Sequence, residues 1–422
     1  MHIGYLAHWF YPETGALAGR AHELGRHWLA SSCDVSVVTA MPNHPEGRIR
    51  DGYRGKRALV ENVDGITVHR KWLIPIAKRT IGGTALNHGS FSAHAVLAAF
   101  FRRCPSPDIW ITTSPPLLTA AAGALIAQLQ GVPFIFEVRD LWPDYFAEMG
   151  VLKNKWILDV LYRLEARLYR KAAAIVTVAE SMRSRIIDQK GVDPDKVFAI
   201  PNGADLGKFS TSNDSHSAKR AELGLDDRFV VAYVGNHGLG QGLVSVIKAA
   251  GLLQRHEDIH FLFVGNGAQR DAVVGKATEL RLRNVTLLET CPREDVPAFY
   301  SAADVCLVPL ADVPAFRSTI PSKLFEIMAS RRPVIGALAG ESAELITRAK
   351  AGFVVPPERP EDLAEAILRM RDTPVDVRTQ MGMNGRRHVE EHFDREKWAA
   401  RYLDILRSVR SGSNSRGILH FK

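Results

Sequence analysis

The chain has 422 residues, room for about two or three domains with full cores. Its 46% hydrophobic and 24% charged residues are the balance of a soluble globular protein, with no apolar run of membrane-spanning length. A net charge of +8 suits an anionic ligand or an anionic membrane surface; nucleic acid is set aside, because the sequence holds no basic helix, zinc finger or aromatic RNA-binding pattern. Cys33, Cys104, Cys291 and Cys306 lack redox or zinc spacing and read as buried thiols. The start, "MHIGYLAHWFYPETG", lacks the basic region and cleavage pattern of a signal peptide, so cytosol is the expected compartment.

In chain order, Ile3–Ala7 reads as a strand, Leu17–Ala30 as a helix and Val35–Thr39 as a strand. Ile109–Thr113, Phe134–Val138 and Ala174–Val178 repeat the strand pattern, with helices over Leu117–Gln130 and Trp156–Arg170. Short β-branched runs alternating with amphipathic helices predict a parallel sheet covered on both faces. The pattern stops near "IPNGADLGKF", and a polar stretch over 205–225 has linker composition. It restarts with strands at Phe229–Val234, Phe261–Val264, Val285–Leu288, Val305–Val308, Val334–Gly336 and Phe353–Val355. The expectation is α/β: two doubly wound Rossmann-like domains, 1–204 and 226–390, facing a cleft. A helix over 391–410 crosses back to the first, and 411–422 is a frayed tail.

The connections carry the chemistry. "HWFYPETGALAGRAHEL" joins the first strand to the first helix; Gly15 and Gly19 permit close backbone approach, and Arg20 falls in the first helical turns. "RIRDGYRGKR", 48–57, and "RKWLIPIAKRTIGG", 70–83, mix cations with Tyr53, Trp72 and aliphatic residues, which suits an anionic membrane interface or, equally, a solvated loop. "FEVRDLWPD" sets Glu137, Arg139 and Asp140 at the end of a buried strand, where ligands bind or a structural ion pair forms. "DPD", 193–195, reads as a solvated turn rather than a metal motif.

"YVGNHGLGQGL", Tyr233–Leu243, is a glycine-rich strand-to-helix turn. Its glycine spacing departs from the dinucleotide fingerprint, and no acid ends the next strand. A plain tight turn remains open, but a phosphate met by backbone N–H groups fits best. "HEDIH", 256–260, matches the zinc-protease string but lies on a predicted strand, where the two histidines cannot share a helix face. In "FRSTIPSKLFEIMASRRPVIG", Pro321 and Ser322 read as a helix start with Ser322 able to cap it. Lys323 adds a cation at that N-terminus and Glu326 lies on the same face, a carboxylate suited to vicinal hydroxyls. The bland alternative is an exposed Lys–Glu pair.

Seven segments in order, "TSPPLL", "FEVRDLWPD", "IPNGAD", "GNHGLGQGL", "VGNGAQR", "PSKLFEIMASRRPVIG" and "GFVVPPERPEDLAEAI", resemble the family-four retaining glycosyltransferases of GT-B fold, and among them the WbuB-like (fucosamine-transferase) branch of bacterial surface-polysaccharide enzymes. The resemblance spans Met1 to about Arg410. It implies a metal-independent, retaining transferase with no cofactor. The donor is a nucleotide-sugar, UDP-linked, such as N-acetyl-L-fucosamine; the acceptor is a polyprenyl-diphosphate-linked saccharide at the inner membrane face. Glu326 matches the second glutamate of the family's Glu-x7-Glu pattern, while the first falls on Ser318. The family's two diphosphate cations fall on Asn236 and Gln241, leaving Lys323 and Arg317 to replace them. Arg139 and Asp140 stand where many members carry His-Asp.

The catalytic candidates are therefore Lys323, Glu326, Arg139 and Asp140. The nucleotide-sugar candidates add Gly15, Asn202, Gly235, Asn236, His237, Gly238, Gln241, Gly242, Gly265, Asn266, Gly267, Arg317, Ser322 and Leu324; His8, Glu13, Gly19 and Arg20 are the acceptor candidates. Two rivals share the features: a GT-B-fold nucleotide-sugar 2-epimerase, and a non-catalytic nucleotide-sugar-binding subunit.

Overall fold

Strands whose successive residues are all buried, such as Phe134–Val138 and Phe229–Val234, need cover on both faces, and parallel sheets under helices supply it. The computed structural model describes residues 1–13, 15–44, 47–76, 80–209 and 213–412. It divides into two units, Met1–Pro201 with Glu396–Lys422, and Asn202–Arg395. The first break falls at 201/202 rather than after 204, so Asn202 belongs to the second unit.

The first unit runs β1 (His2–Leu6), α1 (Ala16–Ala30), β2 (Asp34–Ala40), β3 (Ala58–Val63), β4 (Ile66–Lys71), α2 (Ile81–Phe100), β5 (Ile109–Ser114), α3 (Leu117–Gln130), β6 (Phe134–Val138), α4 (Asp144–Glu148), α5 (Lys155–Lys171), β7 (Ala174–Thr177), α6 (Glu180–Lys190) and β8 (Val197–Ala199). Its sheet has the order β3-β4-β2-β1-β5-β6-β7-β8. All pairs are parallel except β3 on β4, a hairpin closed by Asp64 and Gly65, both at positive φ (49° and 87°). Strand order reverses between β1 and β5, the position where open α/β sheets bind ligands beyond their carboxyl ends.

The second unit runs α7 (Asn213–Leu223), β9 (Phe229–Val234), α8 (Leu243–Leu252), β10 (Ile259–Val264), α9 (Arg270–Glu279), β11 (Val285–Leu288), α10 (Val296–Ala302), β12 (Val305–Pro309), α11 (Ser322–Ala329), β13 (Val334–Ala337), α12 (Glu341–Arg348), β14 (Gly352–Val355), α13 (Pro360–Asp372) and α14 (Val375–His392). The six strands are parallel in the order β11-β10-β9-β12-β13-β14, reversing between β9 and β12. The expected linker over 205–225 is corrected: its polar residues include α7, which packs on α10 and is pinned by buried Arg220, donating to Ala302 O at 2.9 Å and paired with Asp304. Residues 210–212 of that stretch, and 413–422 of the expected tail, lie outside the described residues.

The last helix, α15 (Arg395–Ser411), joins the first unit from Glu396 onward. Trp28 of α1, wholly buried, donates its indole N–H to Ala399 O at 3.1 Å and meets the Tyr402 ring edge-on at 5.4 Å. Ile405 and Leu406 complete a core with Ile3, Tyr5 and Val37. Trp28→Ala is expected to lower stability by about 3–5 kcal/mol, the cost of emptying a large aromatic site. Denaturant unfolding followed by circular dichroism checks it; a loss under ~1 kcal/mol would mean that α15 is not anchored there.

Candidate active site

In the second unit the loop after β9 lies at the strand-order reversal. Gly235 donates its N–H to Val264 O at 2.9 Å. A Cβ at Gly235 would stand 3.0 Å from Lys323 Nζ and crowd the lysine, and one at Gly265 only 2.0 Å from Gly235 O would push the two loops apart. His237 N–H donates to Asn266 O at 3.0 Å, and Gln269 N–H to His237 O at 2.7 Å, knitting this loop to the Gly265–Gly267 loop after β10. Asn266 is spent on structure, donating to Glu289 at 2.8 Å. The His237 ring is buried between Tyr233 and Phe263, and neither ring nitrogen has a partner among the described residues. Burial, with Arg270 and Lys323 adding to it, pushes this histidine down to about 4, so it is neutral near pH 7. Gly238 begins a short 3-10 turn, and Gly242, left-handed at φ 59°, starts α8 with no side-chain cap, the kind of helix start at which an anion can meet backbone N–H groups.

Lys323 reaches this loop from the first turn of α11. Its Nζ lies 3.0 Å from Gln241 Oε1 and 3.8 Å from the Tyr233 ring centroid. The Tyr233 hydroxyl donates to Asn236 O at 2.6 Å and lies 3.1 Å from Gln241 Oε1. Burial lowers the Lys323 ammonium to about 7, against the opposing pull of Glu326. The exposed Lys–Glu pair is therefore corrected: the lysine leans on a neutral amide and a π face, and Glu326 is buried, bonded to Arg293 at 3.0 Å and within 3.5 Å of the Tyr300 hydroxyl. Ser322 does not cap α11: Pro321 holds that position, and Ser322 Oγ accepts from Asn202 Nδ2 at 2.9 Å. Leu324 is wholly buried with its N–H bonded to Pro321 O, so it supports the helix start and offers a ligand no group. Arg317 is exposed and 3.9 Å from Asp312, a solvent-screened pair worth little in stability.

In the first unit, Arg20 is turned inward rather than towards an acceptor. Its guanidinium donates to Glu137 at 2.9 Å, Ile200 O at 3.0 Å and Pro201 O at 3.3 Å, and the Tyr5 hydroxyl donates to the same wholly buried Glu137. The structural ion pair is thus the outcome for Glu137. Arg139 and Asp140 follow it beyond the strand; burial lifts the Asp140 carboxyl to about 6 although Arg139 pulls it down. Glu13 is buried and accepts from the backbone N–H groups of Asn43, His44 and Phe10, yet burial lifts it to about 7. His8 is buried beside His88, Trp9 and Phe91, its Nε2 3.0 Å from Asn87 Oδ1 and its Nδ1 without a partner among the described residues. Gly15 starts α1 in the open at φ 108°, and Gly19 N–H donates to its carbonyl.

In the 70–83 segment two of the expected surface cations turn inward, while Trp72 stays exposed. Arg70 and Lys71 lie in β4, buried, bonded to Glu61, Tyr11 O and Arg103 O, and Leu73 is wholly buried. Residues 77–79 lie outside the described residues. Arg48, Arg54, Lys56 and Arg57 of the other segment are exposed. Sequence reasoning missed Tyr233 as the platform for Lys323, because a strand tyrosine reads as core. It missed Arg293, which has no periodic link to Glu326, and Asn87, whose only signal was a polar residue inside the charge-free α2.

Residues 15–203 match the family described as "Glycosyl transferase 4-like domain", and residues 215–388 the family "Glycosyl transferases group 1". The putative colanic acid biosynthesis glycosyl transferase WcaI of Escherichia coli is 26% identical over 80% of this chain and 82% of its own. Among solved structures, sucrose-phosphate synthase from Thermosynechococcus elongatus superposes with TM-score 0.76 at 18% identity, over 98% of this chain and 100% of that one. Anabaena HepE in complex with UDP-glucose superposes with TM-score 0.73 at 18% identity, over 97% and 100%. With the family matches on both units and this fold throughout, the chain belongs to the group 1 glycosyltransferases and is a glycosyltransferase of GT-B fold.

Proposed function

We propose that this enzyme moves a sugar from a UDP-linked donor to a polyprenyl-diphosphate-linked saccharide in the assembly of a bacterial surface polysaccharide, at the inner face of the cell membrane. The configuration at the anomeric carbon is retained, and neither a metal ion nor a cofactor takes part. The carrying observation is the Lys323 ammonium, held against a neutral amide beside an uncharged glycine loop at the β9/β12 reversal. Support for a surface polysaccharide comes from the colanic acid relative, and for UDP from the UDP-glucose complex of HepE. The N-acetylated deoxyhexosamine, N-acetyl-L-fucosamine, rests on the likeness to the WbuB-like branch.

In this reading the bond from the anomeric carbon to the diphosphate oxygen breaks as the acceptor oxygen bonds to the same face. The acceptor proton passes to the departing diphosphate, and a glycoside and UDP result. Lys323, the α8 and α11 starts and the exposed Arg317 stabilise the charge that builds on the diphosphate. Glu326, its rotamer set by Arg293 and Tyr300, accepts the ribose hydroxyls. Asp140, near its own titration point, orients the acceptor hydroxyl.

Lys323→Met is expected to lower kcat/KM by about 10²–10³, as loss of a transition-state charge partner does; steady-state transfer assays check it, and wild-type rates in the folded variant reject the assignment. The pH dependence follows from the lowered folded-state pKa of Lys323. The free folded protein binds fewer protons than the unfolded chain between about pH 7 and the ordinary lysine range, so this group adds stability as pH rises across that window. UDP affinity moves the other way, weakening above about pH 7 as the ammonium is lost. Isothermal titration calorimetry between about pH 6 and 9 should show that slope in wild type and a flat profile in Lys323→Arg, which stays charged; a flat wild-type profile rules out Lys323 as the titrating cation. UDP at roughly 100 times its Kd should stabilise the protein by ~2.7 kcal/mol. GDP, ADP and TDP should do less in the same thermal-shift screen, and a larger shift with any of them reassigns the base. Donor incubated alone should keep its sugar unchanged; epimerised product points to the rival activity.

A further inference from the structure

Helices α2 and α3 contain no Asp, Glu, Lys or Arg over 20 and 14 residues. They pack side by side on the first unit's sheet, and α5 packs along α3. Charge-free helices usually lie inside a protein, yet each of these keeps an outward stripe. On α2 it is Leu86, Ala93, Leu97 and Phe100; on α3 it is Leu118, Leu125 and Leu129. The steps of three, four and seven residues are those of one helix face. Phe100 is 66% exposed, and Phe101, Arg102 and Arg103 follow it at the surface.

Helix α5 supplies the complement. Trp156 is 73% exposed at its start, beside exposed Ile157 and Val160 and just after exposed Lys153 and Lys155. Further along, Arg163, Arg167 and Arg170 are exposed, against Asp159 as the one exposed carboxylate of this helix. Leucine and phenylalanine stripes with an exposed tryptophan beside lysines are the chemistry of the bilayer interface, where an indole sits at headgroup depth and cations meet lipid phosphates.

We propose that the α2–α3–α5 layer is a docking surface for an anionic lipid bilayer. The apolar stripes enter the headgroup and acyl boundary, and the α5 cations with Arg102 and Arg103 meet the phosphates. A second copy docked by the same face would bring the same excess of cations to both sides, with Asp159 as the one exposed α5 carboxylate to set against them. The surface differs from both the 48–57 and the 70–83 segments. It rests on the chemistry of the outer face alone, so it stands or falls apart from the donor and acceptor assignments.

The test is flotation of the full chain with phosphatidylcholine vesicles, with and without phosphatidylglycerol. Three variants accompany wild type: Leu97→Glu/Phe100→Glu/Leu125→Glu, Arg163→Gln/Arg167→Gln/Arg170→Gln, and Arg54→Gln/Lys56→Gln/Arg57→Gln. All replace exposed residues, and unchanged melting curves confirm folding. Wild type should float with the phosphatidylglycerol vesicles at low salt, not with phosphatidylcholine alone, and salt should release it. The glutamate variant should lose at least about tenfold in partition. The α5 arginine variant should lose on the order of a hundredfold, about fivefold per charge, and the 48–57 variant much less. Wild type left unbound at low salt overturns the proposal, as does flotation of the glutamate variant at the wild-type level or a loss confined to the 48–57 variant. A dimer in light scattering that the glutamate variant breaks, with no flotation by either protein, gives the face to a second copy instead.

Discussion

One half-buried ammonium organises the second unit. Lys323 gives up much of its water, and burial alone would favour its neutral form, as its lowered pKa records. Its hydrogen bond goes to the Gln241 amide and its charge faces the Tyr233 ring, while Glu326 three residues on is bonded elsewhere. Such an environment holds a cation weakly enough to leave it available for an incoming anion, whose charge would restore the proton preference. Neighbouring features fit that demand. Gly235 lacks the Cβ that would crowd Nζ, Tyr233 braces both the loop carbonyl of Asn236 and the Gln241 amide, and Glu326 is drawn aside by Arg293.

The first unit solves a different problem with buried charge. Glu137 is wholly enclosed at the end of β6, where an unpaired carboxylate would cost several kcal/mol. Arg20 neutralises it, the Tyr5 hydroxyl donates to it, and the remaining Arg20 N–H groups bind the carbonyls of Ile200 and Pro201. The pair therefore fastens α1, β1, β6 and the end of β8 into one rigid edge. Arg139 and Asp140 project from that edge, and the loop carrying His8 and Glu13 leaves the same end of the sheet. Rigidity beneath and near-neutral carboxyls above are what a site that positions a hydroxyl needs.

The outer face of the first unit follows another rule. Water-facing helix stripes are normally polar, because nothing else covers them. On α2 and α3 the stripe is leucine and phenylalanine, and on α5 it changes to arginine. A contiguous apolar stripe bordered by cations is unusual for a face turned only to water, and that contrast is the observation behind the docking proposal.

Much of this was legible in the chain itself. Phe134–Val138, Phe229–Val234, Val285–Leu288 and Leu117–Gln130 fall where local apolar patterning predicts them, because buried parallel strands and the helices between them announce themselves within a few residues. The glycine loop, Lys323 and Glu326 were visible for the same reason: each sits at a strand end or helix start that short-range pattern marks. Less was legible where polarity or isolation hid order. Helix α7 looked like linker, α2 had no polar face to set its period, and the Asp64–Gly65 hairpin was passed over beside cations that read as loop. What only the tertiary structure decided was pairing. It gave Lys323 to Gln241 and Tyr233, Glu326 to Arg293, Arg20 to Glu137, and Arg70 to the interior. Partners separated by tens to more than a hundred residues leave no periodic trace in sequence; only the closure of the sheets brings them within bonding distance.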